Sequence, residues 1–296
     1  MKGFRCGTVA IVGRPNTGKS TLLNRLVGQR LSIVSPKAQT TRHLVTGILN
    51  EEGCQFVFLD SPGLQKRERE VLHWMLNRRA MEALRQSDVV ALVVEALRFG
   101  AEDRDVLAQI PTGHPVVAVV NKADRVKRSG ELLPFLERLA KERDFRAIVP
   151  VSARTGKNLP ELLRVLREAL PEAPPMFPQD QLTDRDERFF AAELVREKLF
   201  QQLGQELPYR CEVLIESFRQ EGKLRRIEAT ILVGKESQKG IVVGAKGARL
   251  KRIAEAARKD MEQLFGGKVY LGVWVKVRQG WSDDVRILRQ LGYEQH

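Results

Sequence analysis

The sequence predicts two domains: an α/β domain with a doubly wound, mostly parallel sheet over residues 1–170, and an α+β domain over residues 183–296. Up to about residue 170, short β-branched apolar segments alternate with helix-like segments. Residues 171–178 then contain four prolines, which exclude a helix or a central strand and predict a linker over residues 171–182. Beyond the linker a long amphipathic segment comes first, so the second domain should begin with a helix.

The elements of both domains follow from apolar patterning. In the first domain we expect strands at residues 8–12, 43–50, 55–59, 89–94, 116–120 and 147–151, and helices at residues 19–28, 68–85, 104–109, 132–143 and 159–170. In the second we expect a helix at residues 186–202 and strands at residues 210–218, 224–233 and 269–277, with helical segments around a glycine loop before the last strand.

Composition narrows the choice of partner and compartment. The net charge of +13 and the pI near 9.9 favour an anionic partner, either a nucleic acid or a membrane surface. The three cysteines are widely spaced without a CxxC pair, which indicates neither a disulfide framework nor a zinc site and favours a reducing cytoplasm. No apolar segment approaches the roughly 18 residues of a membrane-spanning helix. We therefore predict a soluble protein, at most peripheral to a membrane.

Residues 13–20 read GRPNTGKS and match the phosphate-loop pattern GxxxxGK[ST]. The motif lies between a predicted strand and a predicted helix, as its chemistry requires. Gly13 and Gly18 let the backbone turn its N–H groups toward phosphates, Lys19 reaches the β- and γ-phosphate oxygens, and Ser20 ligates Mg²⁺. This placement disfavours the competing interpretation, a glycine turn with an incidental lysine.

The DSPG sequence at residues 60–63 directly follows the predicted strand at residues 55–59. Asp60 can hold the water shell of Mg²⁺ there, and the N–H of Gly63 can meet the γ-phosphate. In isolation such a sequence is most often an ordinary turn. Its position after the phosphate loop favours the nucleotide interpretation.

Base recognition is predicted at the ends of the last two strands of the first domain. Asp124, in NKAD at residues 121–124, can accept both N1–H and N2–H₂ of guanine, a donor pair that adenine lacks. In SAR at residues 152–154, the N–H of Ala153 can meet guanine O6. An NKxD sequence alone would be interpreted as a helix N-cap. Four motifs in one order, each at the carboxyl end of a predicted strand, indicate a guanine-nucleotide site.

In this order the motifs resemble those of small GTP-binding proteins, and PKAQTTR at residues 36–42 resembles the first switch of the Era family. The resemblance implies an α/β P-loop GTPase domain in which Thr41, beside Thr40, closes onto Mg²⁺. From these residues alone, a polar loop before a strand is an equally good interpretation. Three roles stay open for Arg42: a catalytic finger, a phosphate contact, or a residue of a solvated face.

Leu64 stands where Ras-like enzymes place the glutamine that orients the attacking water, and an apolar side chain cannot do this. Related GTPases with this substitution use K⁺ held partly by the phosphate-loop asparagine, here Asn16. We therefore expect slow, K⁺-stimulated GTP hydrolysis, with Lys19, Thr41 and Asn16 as the catalytic set. The predicted GTP-binding residues are Gly13, Asn16, Thr17, Gly18, Lys19, Ser20, Thr21, Asp60, Gly63, Asn121, Lys122, Asp124, Ser152, Ala153 and Arg154. The predicted metal ligands are Ser20 and Thr41 for magnesium, Asp60 for magnesium through water, and Asn16 for potassium.

In the second domain, residues 244–247 read GAKG and precede a segment with apolar residues at helical spacing. In KH domains a GxxG loop of this kind brings backbone and a basic side chain against single-stranded phosphates. Residues 239–259 carry seven Lys and Arg against one Glu. The helix-first order predicts an α+β type II KH domain with a C-terminal tail. The predicted RNA contacts are Gly244, Ala245, Lys246, Gly247, Arg249 and Lys251.

Further segments resemble the Era family, among them ELPY at residues 206–209 and ARKDM at residues 257–261. The resemblance implies GTP and GDP as ligands, binding to the 3′ end of small-subunit ribosomal RNA, and a role in assembly of the small ribosomal subunit. It also implies a cytoplasmic protein with some peripheral association at the inner membrane; a monomer is the default expectation. Trp274 and Trp281 are expected to be core or packing residues, because KH domains depend little on aromatic stacking.

Two alternatives remain open at this stage. The chain could be a passive RNA-binding protein with a vestigial nucleotide domain, against which the intact Lys19, Ser20, Asp60 and Asp124 argue. Alternatively, it could be a GTPase whose basic residues bind anionic lipid rather than RNA.

Overall fold

The computed structural model describes residues 3–35, 37, 40–62, 70–204 and 206–293. The chain forms two compact units. The first takes in Met1–Ser32, Thr41–Arg67 and Leu76–Asp184, and the second takes in Ile33–Thr40, Glu68–Met75 and Arg185–His296.

Within the described residues, the sheet of the first unit has six strands: β1 (Arg5–Val12), β2 (Val45–Glu51), β3 (Cys54–Asp60), β4 (Val89–Glu95), β5 (Val116–Asn121) and β6 (Ala147–Pro150). Their order is β2-β3-β1-β4-β5-β6, and every neighbouring pair is parallel except β2 and β3. A two-residue turn joins β2 to β3, and Gly53 in it has a φ of 68°, so this edge pair is a tight antiparallel hairpin. The mostly parallel sheet that the sequence predicts is confirmed.

In the same part of the described chain, helices alternate with the strands: α1 (Lys19–Val27), α2 (Val71–Gln86), α3 (Ala101–Gln109), α4 (Leu132–Ala140) and α5 (Leu159–Ala169). Helix α3 begins before the predicted residue 104, because the Asp103 carboxylate accepts a hydrogen bond from the N–H of Gly100 at 3.0 Å and satisfies the first turn. The predicted start of α2 at residue 68 lies outside the described residues.

The strands of the first unit are buried on both faces. In β4, every residue from Val89 to Val94 is buried, and Leu84 of α2 and Val106 of α3 belong to the same cluster of core side chains. A strand covered by helices on both sides needs no polar face, which is why these strands are continuous apolar segments rather than alternating ones.

The proline-rich segment after α5 is extended and lies along the first unit. The N–H groups of Met176 and Phe177 donate to the buried side-chain oxygen of Gln55, at 2.7 and 3.0 Å. Further along, the carbonyl of Leu182 accepts from the N–H of Ile48 at 2.8 Å. The segment is therefore anchored by hydrogen bonds over much of its length, which the prolines alone do not indicate.

The second unit contains α6 (Glu187–Gln202), β7 (Cys211–Glu221), β8 (Leu224–Val233), α7 (Glu236–Val243), α8 (Ala248–Phe265), β9 (Lys268–Val277) and the short α9 (Val285–Gln290). Strand β8 is central, antiparallel to β7 and parallel to β9. Helix α8 places Ile253, Ala257 and Met261 in the core, at the spacing that the sequence predicts.

The two tryptophans that were expected to be core or packing residues occupy different environments. Trp281 is buried, at 4% exposure, whereas Trp274 is 49% exposed. Strand β9 alternates its side chains, so that Val275 enters the core and Trp274 points to the opposite face. Of the two predicted roles, core or packing, the core position is therefore excluded for Trp274, whose ring lies over Gly272.

The described residues contain neither a membrane-spanning helix nor a cluster of metal-ligating side chains. None of the helices in them combines the length and the apolarity that crossing a bilayer requires. They also contain no cluster of three or more His, Cys, Asp or Glu side chains arranged to hold a metal ion. Cys6, Cys54 and Cys211 are buried thiols.

Candidate functional site

The four motifs of the first domain meet at one edge of the sheet. The phosphate loop follows β1, Asp60 is the last residue of β3, Asn121 is the last residue of β5, and Ser152 follows β6. These strands are parallel, so their carboxyl ends lie on the same side, where open α/β sheets bind ligands. The structure therefore brings together residues that are far apart in the sequence.

The phosphate loop closes tightly against β4 and β5. A Cβ atom on Gly13, which has a φ of 154°, would lie 2.3 Å from the carbonyl oxygen of Val93. A Cβ atom on Gly18, with a φ of 97°, would lie 2.4 Å from the side-chain nitrogen of Asn121. Both positions therefore require glycine, for space as well as for backbone conformation.

Lys19 folds back over the phosphate loop. Its Nζ donates to the carbonyls of Gly13 and Arg14, at 2.8 and 3.0 Å. Burial lowers the pKa of Lys19 to about 8, although the nearby Asp60 carboxylate acts to raise it. A nucleotide phosphate would supply the anionic partner that a buried ammonium group lacks.

Three oxygen-bearing side chains form the predicted magnesium site. The Ser20 hydroxyl donates to Asp60 Oδ2 at 2.9 Å and lies 3.1 Å from the Thr41 hydroxyl oxygen. The second oxygen of Asp60, Oδ1, is buried without a hydrogen-bond partner among the described residues. Burial raises the pKa of Asp60, with Lys19 opposing the shift. An unsatisfied carboxylate oxygen beside two hydroxyls is a donor set that fits Mg²⁺. Gly63 and Leu64 lie outside the described residues.

Asn121 joins three of the motifs. Its side-chain nitrogen donates to the carbonyl of Thr17 at 2.8 Å, and its Oδ1 accepts from the N–H groups of Lys122 and Ala153, at 2.8 and 2.9 Å. The Ala153 amide, assigned from sequence to guanine O6, is thus already hydrogen-bonded. Contact with O6 would require this amide to be shared or released.

Asp124 is held at the edge of the predicted base pocket. Its carboxylate accepts from the Ser152 hydroxyl at 2.6 Å and from the Arg154 guanidinium at 2.7 Å. The Ser152 hydrogen bond, and to a smaller extent Arg154, hold the pKa of Asp124 below its ordinary value. The Asp124 carboxylate is therefore ionised and fixed in position.

An ion-pair network that the sequence motifs do not include links the phosphate loop to the base-recognition loop. Arg14 is only 6% exposed, and its guanidinium contacts Glu95 at 3.1 Å and Asp103 at 3.2 Å. Lys122 Nζ lies 3.2 Å from the same Glu95 carboxylate and donates to the carbonyl of Asn16 at 2.7 Å. Although partial burial acts to raise it, Lys122 and Arg14 hold the pKa of Glu95 below its ordinary value.

A topological signal could have found Glu95. Glu95 is the last residue of β4, which lies between β1 and β5 in the sheet. Motifs were assigned to the ends of β1 and β5, but none was assigned to the end of β4. Side chains at the carboxyl end of such a strand face the ligand edge.

The alternatives for Arg42 are reduced by its burial. It is 4% exposed, which rules out the solvated face. The catalytic and phosphate-contact roles remain predictions.

The glycine loop of the second unit connects α7 to α8. Gly244, Lys246 and Gly247 all have a positive φ, of 73°, 48° and 78°, and the last two are in the left-handed helical region. The loop side chain of Lys246 is exposed. Next to the loop, Ile241 is also exposed, which provides an apolar surface beside a basic one.

The basic residues after the loop differ in availability. Lys251 is exposed and lies 3.9 Å from Glu255 of the same helix. The Arg249 guanidinium, in contrast, turns back and donates to the carbonyl of Ile241 at the end of α7. Of the three cations predicted to contact RNA, Arg249 is therefore the one whose charged group is hydrogen-bonded to the backbone of the described protein.

Two family models match the chain, one described as a 50S ribosome-binding GTPase over residues 8–122 and one as a KH domain over residues 206–282. The GTPase Era of Nitrosomonas eutropha is 52% identical over 292 residues, which is 99% of each chain. The chain belongs to the Era family of GTPases. As an Era-family member it is a GTP-hydrolysing enzyme with an appended KH domain, and the alternative of a passive RNA-binding protein is rejected.

Solved Era structures share the architecture of this Era-family chain. A point variant of Aquifex aeolicus Era bound to GDP·AlF₄⁻ aligns with a TM-score of 0.95 at 37% identity, covering 99% of this chain and 100% of that one. An Era in complex with MgGDPNP and nucleotides 1506–1542 of 16S ribosomal RNA aligns with a TM-score of 0.94, also at 37% identity and with the same coverage. The predicted fold class, a P-loop GTPase domain followed by a KH domain, is confirmed.

Proposed function

We propose that this Era-family GTPase is a nucleotide-controlled switch that binds the 3′ end of small-subunit ribosomal RNA and acts in assembly of the small ribosomal subunit. The observation that carries the proposal is the presence in one chain of a phosphate loop with the guanine-motif residues beside it and of an exposed basic GxxG loop. The 16S RNA fragment bound to the related Era is consistent with it.

The RNA part is tested by titrating the full chain with a fluorescent RNA of the 16S 3′ end. A Lys246→Glu substitution introduces a negative charge into the loop and should greatly weaken binding, whereas the matched Lys235→Glu, at an exposed lysine before α7, should have little effect. Equal weakening by both variants would show that RNA binding depends on the overall charge of the protein and not on the loop. Unchanged binding in both would remove the loop from the RNA site.

We propose that magnesium is held by Ser20 and Thr41 directly and by Asp60 through water. The support is the approach of the three side chains and the unsatisfied Asp60 oxygen. When bound, the ion neutralises charge on the β- and γ-phosphates. The chain's own residues contribute the rest: Lys19 supplies a buried positive charge, and the backbone of residues 13–18 supplies N–H donors.

Slow hydrolysis stimulated by K⁺ is the second part of the proposal. Asn16 is exposed and has a left-handed backbone with a φ of 64°, and its side-chain amide has no hydrogen-bond partner among the described residues. That amide oxygen is available as a ligand for a monovalent cation. The test is the single-turnover rate in matched KCl and NaCl buffers; equal rates, or a full potassium effect in Asn16→Ala, would contradict it.

For location, we propose a cytoplasmic monomer with peripheral contact at the inner membrane. The exposed Lys246 and Lys251 would serve either RNA or anionic lipid, so the two ligands should compete. Co-sedimentation with anionic liposomes, repeated with the RNA present, measures this competition. Liposome binding that survives Lys246→Glu while RNA binding is lost would place the membrane contact elsewhere.

A further inference from the structure

A cavity of about 490 Å³ in the first unit is lined by both loops that carry the proposed base-recognition residues. We call residues 121–127 the first base loop and residues 150–158 the second. Val126, Leu132 and Val151 form an apolar part of the lining, and Lys127 and Lys157 contribute to the rest. The volume lies within the range of small-molecule sites in proteins.

The cavity is distinct from the proposed guanine site although it shares its loops. Ala123 and Val151 line it, and the Ala123 N–H donates to the Val151 carbonyl at 3.0 Å, which joins the two loops at the cavity wall. The residues assigned to guanine, Asp124 and Ala153, lie close to them in the chain. Neither of these two belongs to the cavity lining.

The charges of the cavity select the class of ligand. Lys127 and Lys157 are exposed, and neither ammonium group forms an ion pair or a hydrogen bond with any residue that the structure describes. No acidic side chain is part of the lining. Inorganic phosphate would gain nothing from the apolar lining, and a neutral apolar molecule would gain nothing from the lysines. Both features together are complementary to an organic anion with an apolar body.

We propose that this cavity binds a small organic anion with an apolar body, and that the bound anion slows release of guanine nucleotide. The second part rests on the proposed guanine site. An anion that contacts Lys127 of the first base loop and Lys157 of the second connects the two loops that carry the proposed guanine contacts, and so restricts their movement relative to each other. By linkage, any effect of the anion on nucleotide affinity equals the effect of the nucleotide on anion affinity.

The binding test uses 8-anilinonaphthalene-1-sulfonate as the probe and the full chain as the protein, with fluorescence as the readout. Lys127→Ala/Lys157→Ala should weaken binding by about tenfold or more. The control Lys141→Ala/Lys235→Ala removes the same charge from two exposed lysines outside the cavity and should bind as the unsubstituted chain does. Val126→Trp, which fills the apolar part, should abolish binding. Equal affinities in the two double variants would overturn the proposal.

The coupling test follows dissociation of a fluorescent GDP by stopped flow. Saturating probe should slow release by about fivefold in the unsubstituted chain and leave Lys127→Ala/Lys157→Ala unaffected. An unchanged rate with the probe bound would overturn the coupling. A chain that binds GDP and not the probe would overturn the cavity proposal and leave the proposed function intact. A chain that binds the probe and not GDP would overturn the proposed function and leave binding at the cavity intact.

Discussion

The nucleotide site and the glycine loop achieve binding by opposite means. At the nucleotide site, buried side chains hold one another: Asn121 joins three motifs, and Glu95 holds Arg14 and Lys122. At the glycine loop Lys246 and Gly247 have left-handed backbone conformations, and the Lys246 side chain is exposed. The first arrangement is pre-organised for one ligand, while the second presents charge and backbone to an extended one. Substitutions that only remove a charge or a hydrogen-bonding group should therefore have large, specific effects at the nucleotide site and small, salt-dependent effects at the loop.

The largest effect is expected for Asp124→Asn. Because the amide cannot accept both guanine donors, GTP affinity should fall by about 2–3 kcal/mol, roughly a hundredfold. Xanthosine triphosphate should bind better than it does to the unsubstituted chain, because an amide N–H can donate to the carbonyl that xanthine carries in place of the amino group of guanine. Competition titrations with both nucleotides measure this, with the exposed Asp144→Asn as the control. Unaltered base preference would remove Asp124 from the guanine site.

A smaller loss, about 1–2 kcal/mol or roughly tenfold in GDP affinity, is expected for Glu95→Gln. Without the carboxylate, Arg14 and Lys122 lose their common ion-pair partner, and the phosphate loop is held to the loop of residues 121–124 less firmly, by the Asn121–Thr17 and Lys122–Asn16 hydrogen bonds. Glu95→Asp should recover part of the affinity because it retains the charge. Glu137→Gln, at an exposed position on α4, is the matched control. If Glu95→Gln binds GDP normally, the network serves folding alone.

The buried Lys19 predicts a pH dependence. Its pKa in the nucleotide-free protein is about 8, below its ordinary 10.5, so folding disfavours the charged form. The free energy of unfolding of the nucleotide-free protein should consequently rise as the pH increases from about 8 to 10.5.

Phosphate favours the charged form of Lys19, so nucleotide binding near pH 8 should take up about half a proton, and affinity should fall above that pH. Calorimetry in buffers of different ionisation enthalpy measures the uptake. Lys19→Arg, which stays charged, should abolish it if the variant still binds. Proton uptake of the same size in that variant would assign the titration to another group.

The smallest effects are expected at the glycine loop. Lys246→Ala should weaken RNA binding by a similar factor for all RNA sequences and reduce the salt slope by about 1, as loss of one phosphate contact requires. Arg249→Ala should change the salt slope less, because this guanidinium is bonded to the carbonyl of Ile241. Salt-series titrations compare the two variants. A larger slope change for Arg249→Ala would show that its contact with Ile241 opens on binding.

Motifs with a defined chemistry were predictable from the sequence, and their surroundings were not. The phosphate loop, Asp60 and Asn121 follow from residue types at fixed positions after strands. Glu95 and Arg14 carry no such signature, since their roles arise from the adjacency of β1, β4 and β5 in the sheet.

The tertiary contacts and side-chain orientations of several segments also could not be predicted from the sequence. Prolines predict an extended segment but not its hydrogen bonds to Gln55. Trp274 has the apolarity of a core residue, and only the alternation of β9 places it on the exposed face. The sequence shows Arg249 only as one more cation in a basic cluster, and its contact with Ile241 is evident only from the structure.

The central claim, that nucleotide controls RNA binding, is tested most directly by one measurement on the full chain. The dissociation constant for a 16S 3′-end RNA is determined with a non-hydrolysable GTP analogue, with GDP and without nucleotide, each over a salt series. We expect different affinities in the GTP and GDP states at every salt concentration. Identical affinities in all three states would show that the two sites act independently and would contradict the proposed switch.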